Sequence, residues 1–381
     1  MHQKVISFIR KTYSTPTEFI PLHEPRFIGN EKKYVMDAID STFVSSVGKY
    51  VDQFEEMIKK YTGAKYAIAV VNGTAALHMS LILSGVKRDE LVITQALSFV
   101  ATCNAISYIG AEPVFIDIDP KTLGLSAESL RNFLKNVELI DGIAIHRPTG
   151  KKVAACIPMH TFGFPVEIDT IIELCNQYNI PVIEDAAESI GSTYKNKHTG
   201  TFGLLGTYSF NGNKTITCGG GGIIVTNNDE IGKLAKHLTT QAKVPHRWEY
   251  VHDHIGYNYR CPNLNAALAC AQLEKLEEFI ENKRNTSNEY KDFFSEIDEI
   301  EYLEEPENSK SNYWLHAVLL KNREERDLFL EKMNDNGIMS RPIWALMNKL
   351  PMFKHCIHDG LKNSLEIESR LVNIPSSVAF K

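Results

Sequence analysis

The segment Ser209-Phe210-Asn211-Gly212-Asn213-Lys214-Thr215-Ile216-Thr217-Cys218 runs into four glycines at 219–222, so one lysine stands among turn residues and small neighbours. A lysine partly withdrawn from water is a carbonyl-condensing amine. The small residues leave room beside it for a bulky group, and Ser209 is near enough in the chain to serve a phosphate. The same run also reads as a lysine in a plain glycine-rich turn. A second segment, Val182-Ile183-Glu184-Asp185-Ala186-Ala187-Glu188-Ser189, leads from apolar residues into two acids and then small residues. Acids at the carboxyl end of a parallel strand sit in the ligand crevice of open α/β sheets, where one can favour the protonated form of a ring nitrogen. A solvated turn is the alternative. The third segment, Val71-Asn72-Gly73-Thr74-Ala75-Ala76, ends a strand, turns at glycine and starts a helix. The first amides of such a helix bind phosphate, helped by the Thr74 hydroxyl. An ordinary N-cap has the same letters, and the spacing is that of neither a dinucleotide fingerprint nor a P-loop.

Short apolar runs alternating with helical ones would position these segments. Tyr66–Val71, Leu91–Thr94, Pro113–Asp117, Val153–Pro158, Val182–Glu184 and Ile223–Thr226 read as strands. Thr74–Leu83, Phe99–Ile109 and Ile168–Tyr178 read as helices. That alternation predicts crossover units and a mainly parallel sheet. Between Leu125 and Lys152 the pattern degrades, and turn signals at Asp141-Gly142 and Pro148-Thr149-Gly150 predict a polar hairpin or loop at the surface. At the N-terminus a short helix precedes an irregular arm broken by Pro16, Pro21, Pro25 and Gly29. Helical spacing follows over Asn30–Ile39 and Asp52–Tyr61, with a loop at Thr42–Tyr50 between them. After Pro262 one long helix over Asn265–Lys283 bridges to a smaller C-terminal domain. There Tyr313–Leu320 reads as a strand and Glu324–Asn334 as a helix with Gly337 at its C-cap. The expected division is 1–62 for the arm and first helices, 63–264 for the large domain, and 265–381 for the linking helix and small domain.

Composition narrows the classes. With 381 residues, 43% hydrophobic and 23% charged, the chain fits a soluble globular protein of one large and one smaller domain. A net charge of -6 argues against non-specific nucleic-acid binding. No apolar run approaches the ~18 residues that a bilayer span needs, and Met1–Arg10 lacks the pattern of a signal peptide. Seven scattered cysteines point to free thiols in a reducing compartment, so a cytoplasmic location is expected. No metal is expected: His252-Asp253-His254 lacks a third ligand at metal-site spacing and reads as a surface loop or substrate contact. His160-Thr161-Phe162-Gly163 follows a strand near the candidate site. Trp344 reads either as a pocket wall or as core.

Taken in order, Phe43–Tyr50, Asn72–Ala75, Glu184–Ser189, Ser209–Gly222 and Gly256–Arg260 resemble the DegT/DnrJ/EryC1/StrS group of sugar aminotransferases, over nearly the whole chain. The resemblance implies the α/β fold of fold type I pyridoxal 5'-phosphate enzymes, with a mainly parallel, seven-stranded mixed sheet and a smaller C-terminal α/β domain. It assigns Lys214 as the lysine that bonds the cofactor and Asp185 as the partner of its ring nitrogen. Gly73, Thr74 and Ser209 match phosphate-binding positions, with Ala75 beside them in the cofactor site. Phe99 matches the aromatic residue stacked on the ring. Glu188 matches a position near the ring hydroxyl, where relatives often carry Gln or His. Asn258 matches a residue contributed across a homodimer interface to the cofactor phosphate. The runs Phe19–Pro25, Phe27–Tyr34 and Asp40–Tyr50, with the insertion ending near Lys152, resemble the legionaminic-acid-type branch. That branch implies L-glutamate as amino donor and, as acceptor, a nucleotide-linked 4-keto-6-deoxy sugar bearing a 2-acetamido group. Another 4-keto sugar nucleotide, such as a perosamine precursor, is the nearest alternative. A dehydratase of the same group would carry histidine in place of Lys214. A regulatory or structural homologue would have no need to keep the lysine, the aspartate and the phosphate-site residues together.

Overall fold

The computed structural model describes residues 1–379. Residues 1–62 build no core of their own. Helix α1 (His2–Thr12) buries Val5, Ile6 and Ile9 against Phe329, Met333 and Val372 near the other end of the chain. Helices α2 (Glu31–Asp40) and α3 (Lys49–Thr62) bury Ala38, Tyr50, Phe54 and Ile58 against Ala266 and Ala269.

The expected alternation follows, as β1 (Tyr66–Val70), α4 (Gly73–Leu83), β2 (Leu91–Gln95), α5 (Val100–Tyr108) and β3 (Glu112–Ile116). Strands β1 and β2 are almost wholly buried, as strands covered on both faces must be. The stretch Leu125–Lys152 is more ordered than its pattern suggested. Ser126 caps helix α6 (Ala127–Leu134) by accepting from the Ser129 amide, and Leu130, Phe133 and Leu134 seal it to the core. The hairpin is there, β4 (Val137–Ile140) and β5 (Ile143–His146), turning at Asp141-Gly142 with φ of 50° and 78°. Next come β6 (Lys151–Ile157), α7 (Ile168–Asn176), β7 (Ile183–Asp185), the short β8 (Thr193–Tyr194) and β9 (Lys197–His198), β10 (Leu205–Ser209), β11 (Gly222–Thr226) and α8 (Asp229–Thr239). Strand β10 and helix α8 fall outside the elements that the sequence reading assigns.

The strands form two ladders, ordered β1-β11-β10-β7 and β3-β2-β6-β5-β4. Pairs β7/β10, β2/β3 and β2/β6 are parallel, whereas β11 is antiparallel to both β1 and β10. The first residues of β6 pair with β5, and parallel bridges from Cys156 to Val182 and from Met159 to Asp185 then set its carboxyl end alongside β7, the edge strand of the other ladder. Their carboxyl ends, with the starts of α4 and α5, bound one crevice.

The expected single linking helix is two, α9 (Asn263–Leu273) and α10 (Leu276–Phe294), broken at Glu274-Lys275. No proline or glycine marks the break. The Glu274 carboxylate instead accepts from Asn30 Nδ2 at 2.8 Å and Tyr34 OH at 2.6 Å. The smaller C-terminal domain adds β12 (Ile300–Tyr302), β13 (Ser309–Lys310), β14 (His316–Leu320), α11 (Arg323–Asp335), β15 (Arg341–Pro342), α12 (Lys362–Arg370) and β16 (Leu371–Ile374). Its antiparallel sheet runs β12-β14-β16-β15, while β13 pairs with β8 and laces the two domains together. Strand β14 starts later than expected because Tyr313 adopts φ 46°. Gly337 follows α11 with φ 68°, as a glycine beyond a helix end should. All seven cysteines are free and buried. Among the described residues no helix is long and apolar enough to cross a membrane.

Candidate active site

A cavity of about 350 Å³ opens where β7 and β10 end, walled by the start of α4, by Phe99 and Thr102 of α5 and its N-cap, and by Trp314 and Trp344 of the small domain. Asp185, the last residue of β7, is buried beneath it. Its Oδ2 accepts from the Thr102 hydroxyl at 2.7 Å and its Oδ1 from the Ala187 amide at 3.1 Å. Burial pushes the Asp185 carboxyl above the usual carboxylate range, and the Thr102 hydroxyl, the Ala187 amide and the charge of Lys214 oppose that only in part. A cationic group opposite would relieve it.

Lys214 reaches into the same cavity. Its Nζ lies 3.2 Å from Glu188 Oε1 and 3.9 Å from the centre of the Trp314 ring. Trp314 is itself pinned, its Nε1 donating to the Asn213 carbonyl at 2.6 Å and its amide to Asn312 Oδ1 at 2.9 Å. The buried Asn312 amide group donates in turn to the carbonyls of Glu188 and Ile190. Glu188 Oε2 accepts from the Phe162 amide at 2.9 Å. Burial pushes the Glu188 carboxyl up to about 7, even beside the lysine.

At the far end, Asn72 caps α4. Its side chain accepts from the Ala75 amide at 2.8 Å and its carbonyl from the Ala76 amide at 3.1 Å. The Gly73 and Thr74 amides are the first-turn donors outside that cap. They lie beside Ser209, the last residue of β10. A β-carbon on Gly73 would stand 2.8 Å from the Ser209 Cβ, so only glycine lets the helix start approach the strand end this closely.

The neighbouring acid of β7 has another duty. Glu184 is fully buried and accepts from the amides of Gly200 at 2.7 Å, Phe202 at 2.6 Å and Gly203 at 2.7 Å. The Val166 amide donates to His160 Nδ1, so that ring carries its proton on Nε2 and donates it to Glu184 Oε2 at 3.0 Å. Glu184 and His160 thus brace the wall, and Phe162, two residues further on, holds Glu188.

The model of the DegT/DnrJ/EryC1/StrS aminotransferase family matches residues 25–381. This chain belongs to that family. The aminotransferase is similar to GDP-perosamine synthase of Escherichia coli O157:H7, 36% identical over 364 residues that cover 94% of this chain and 93% of the relative. It is 37% identical to the putative pyridoxal phosphate-dependent aminotransferase EpsN of Bacillus subtilis strain 168, across 88% of this chain and 84% of that one. Among solved structures, a DegT DnrJ EryC1 StrS aminotransferase from Brucella abortus superposes with a TM-score of 0.83 at 25% identity, covering 91% and 90% of the two chains. These relatives move the branch reading away from the legionaminic type and towards perosamine synthases.

The aminotransferase uses pyridoxal 5'-phosphate, and the crevice fits that group. It offers one amine, one buried acid in need of a cation, and a cradle of helix-start amides and a serine that a β-carbon at 73 would fill. Of the residues expected from sequence, Gly73, Thr74, Phe99, Asp185, Glu188, Ser209 and Lys214 line the cavity together, and so does Trp344. Two do not. The Ala75 amide is taken by the Asn72 cap and its side chain is buried. Asn258 is exposed, pairing with Thr240 beyond α8. Sequence reasoning missed Thr102, Asn312 and the seat that Trp314 gives to Lys214. A threonine in the first turn of the helix after a strand carries a weak signal, and the Trp314 contact joins residues of two domains that lie 100 positions apart in the sequence.

Proposed function

We propose that this aminotransferase takes an amino group from L-glutamate and delivers it to C4 of a nucleotide-linked 4-keto-6-deoxyhexose, with a GDP-linked perosamine precursor as the favoured acceptor. The observation that carries the reading is the crevice, where the Lys214 amine, the buried Asp185 and the amides beginning α4 share one cavity. Identity of 36% with GDP-perosamine synthase over nearly all of both chains supports the acceptor class. It weighs against the 2-acetamido sugar. Lys214 itself weighs against dehydration.

In this reading Lys214 holds the cofactor covalently, Asp185 faces its ring nitrogen, and Gly73, Thr74 and Ser209 hold its phosphate. Pyridoxal phosphate supplies, when bound, the electron sink for transamination. Asp185, oriented by Thr102, stabilises positive charge at the ring nitrogen. Lys214 Nζ is the group suited to take the proton from the donor's α-carbon and to return one to C4 of the sugar. Glu188 and the Trp314 face keep that amine in place. Phe99, half exposed at the rim, covers the ring. Asn258 serves the partner's site in a homodimer, a reading supported by the exposed Trp248, Tyr250 and Ile255 on the loop that leads to it.

The test supplies the purified chain with pyridoxal phosphate, L-glutamate and matched 4-keto-6-deoxy sugars, on GDP and on UDP, with and without a 2-acetamido group. Mass and NMR then identify the product and its configuration at C4. Amination of the GDP-linked sugar lacking the acetamido group is expected. Amination of 2-acetamido sugars alone would return the acceptor to the legionaminic class, and inertness of every 4-keto sugar would overturn the proposal.

A further inference from the structure

Away from the crevice, three metal-ligating side chains converge. His237 stands in the last turn of α8, and Asp253 and His254 return to it from the far side of the loop that follows. His237 Nε2 lies 2.6 Å and His254 Nδ1 2.9 Å from one oxygen, Asp253 Oδ1. The three donor atoms all fall within 4.8 Å of one another. The two rings stand nearly perpendicular, at 88°, with centroids 5.6 Å apart, so their nitrogens approach the carboxylate from different directions. Backbone contacts set this spacing. The Asp253 amide donates to the Ala242 carbonyl at 3.3 Å, and the Tyr257 amide to the Leu238 carbonyl at 2.7 Å. His252 is not part of the group, because its Nδ1 meets the Gln241 carbonyl at 2.8 Å. The ligand that sequence reasoning could not find is therefore His237, 16 residues before Asp253.

We propose that His237, Asp253 and His254 form a site for a divalent transition-metal ion, zinc or one of similar preference. Two imidazoles and a carboxylate are a zinc donor set that leaves a fourth position for water or an outside ligand. Imidazole ligands suit cobalt and nickel as well. Bonds of about 2.0–2.1 Å to a tetrahedral ion set neighbouring ligand atoms about 3.3 Å apart. Each nitrogen need only open away from Asp253 Oδ1 by less than about 1 Å to admit one. Exposed Asp253 and His254 provide the way in. A bound ion would fasten to α8 the loop that leads to Asn258.

The test dialyses the full-length holoenzyme to equilibrium against zinc chloride and counts retained zinc by elemental analysis. Cobalt chloride absorption is the second readout. The site predicts about one zinc per chain at micromolar free zinc and the intense visible bands of tetrahedral cobalt. His254→Gln and Asp253→Asn should each weaken binding about tenfold or more, whereas His252→Gln should leave it unchanged. His254 is exposed, so its replacement does not endanger the fold. Failure to retain stoichiometric zinc, or equal retention by His254→Gln and Asp253→Asn, would overturn the proposal.

Discussion

Trp314 has a lysine on each side, and the two sides differ in what the amine meets. On one, Lys214 Nζ sits over the indole ring, beside the Glu188 carboxylate, and opens into a cavity. On the other, Lys283 of α10 is fully buried, its Nζ donating to the Trp314 carbonyl at 3.2 Å and to the Ser376 carbonyl. Burial alone pulls the Lys283 amine down to about 7. A depressed lysine is the usual mark of a reactive one, yet here it belongs to the lysine that ties a helix to two backbone segments. Space for a second reactant and an acid opposite it distinguish Lys214. The lesson is that burial makes a lysine weakly basic, and geometry makes it useful.

Four substitutions break or sharpen this contrast. Lys214→Ala should cost the largest effect, a loss of roughly 10²–10⁴-fold in steady-state turnover from the missing proton transfer alone. Its thermal melt should match that of the parent protein. Near-parental turnover would dissolve the distinction between the two lysines. Asp185→Asn should keep some cofactor but slow the half-reaction with glutamate by about 10²-fold in single-turnover kinetics, because an amide cannot stabilise the ring's positive charge. An equal rate would remove Asp185 from that role.

Lys283→Met acts on stability and leaves transamination near the parental rate. The folded-state value of Lys283 is lowered from 10.5 to about 7, so within that window the unfolded chain carries a proton that the native chain lacks. Stability of the parent should rise with pH there, by at most ~1.4 kcal/mol per pH unit. Urea unfolding at several pH values should show that slope flattened in the variant. Glu188→Gln is the subtlest. Its folded-state value is raised from 4.5 to about 7, so the native chain holds a proton that the unfolded chain has lost. The Glu188 contribution to stability is therefore greatest below pH 4.5 and is lost as pH rises towards 7, and the variant should lack that decline. The same titration should disappear from the pH profile of the glutamate half-reaction. A profile unchanged by Glu188→Gln would show that the carboxyl does not titrate beside the amine.

The sequence made the crevice legible because its pieces are local. Asn72–Thr74, Val182–Glu188 and Ser209–Gly222 each combine a strand end with a turn or helix start, and such junctions leave marks within a few residues. Even there, Glu184 and Asp185 look alike in the sequence. Only the structure shows that one is saturated by three amides and a histidine while the other faces the cavity. Other features depend on distant contacts. Trp314 lies 100 residues beyond Lys214, and the break at Glu274-Lys275 answers to Asn30 and Tyr34. Helix α6 was hidden because it is only eight residues long and is followed closely by the polar turn signals at Asp141-Gly142 and Pro148-Thr149-Gly150. Asn258 is a different case: the role proposed for it belongs to a homodimer, and within one chain it is exposed and bridges to Thr240.

The central claim, that Lys214 and Asp185 work one cofactor through a complete amino transfer, is tested most directly by the absorption spectrum of the purified chain with pyridoxal phosphate. The account predicts a visible band that L-glutamate bleaches and that a 4-keto-6-deoxy sugar nucleotide then restores, with neither change in Lys214→Ala. An unbleached band in the parent protein, or the full cycle in Lys214→Ala, would contradict it.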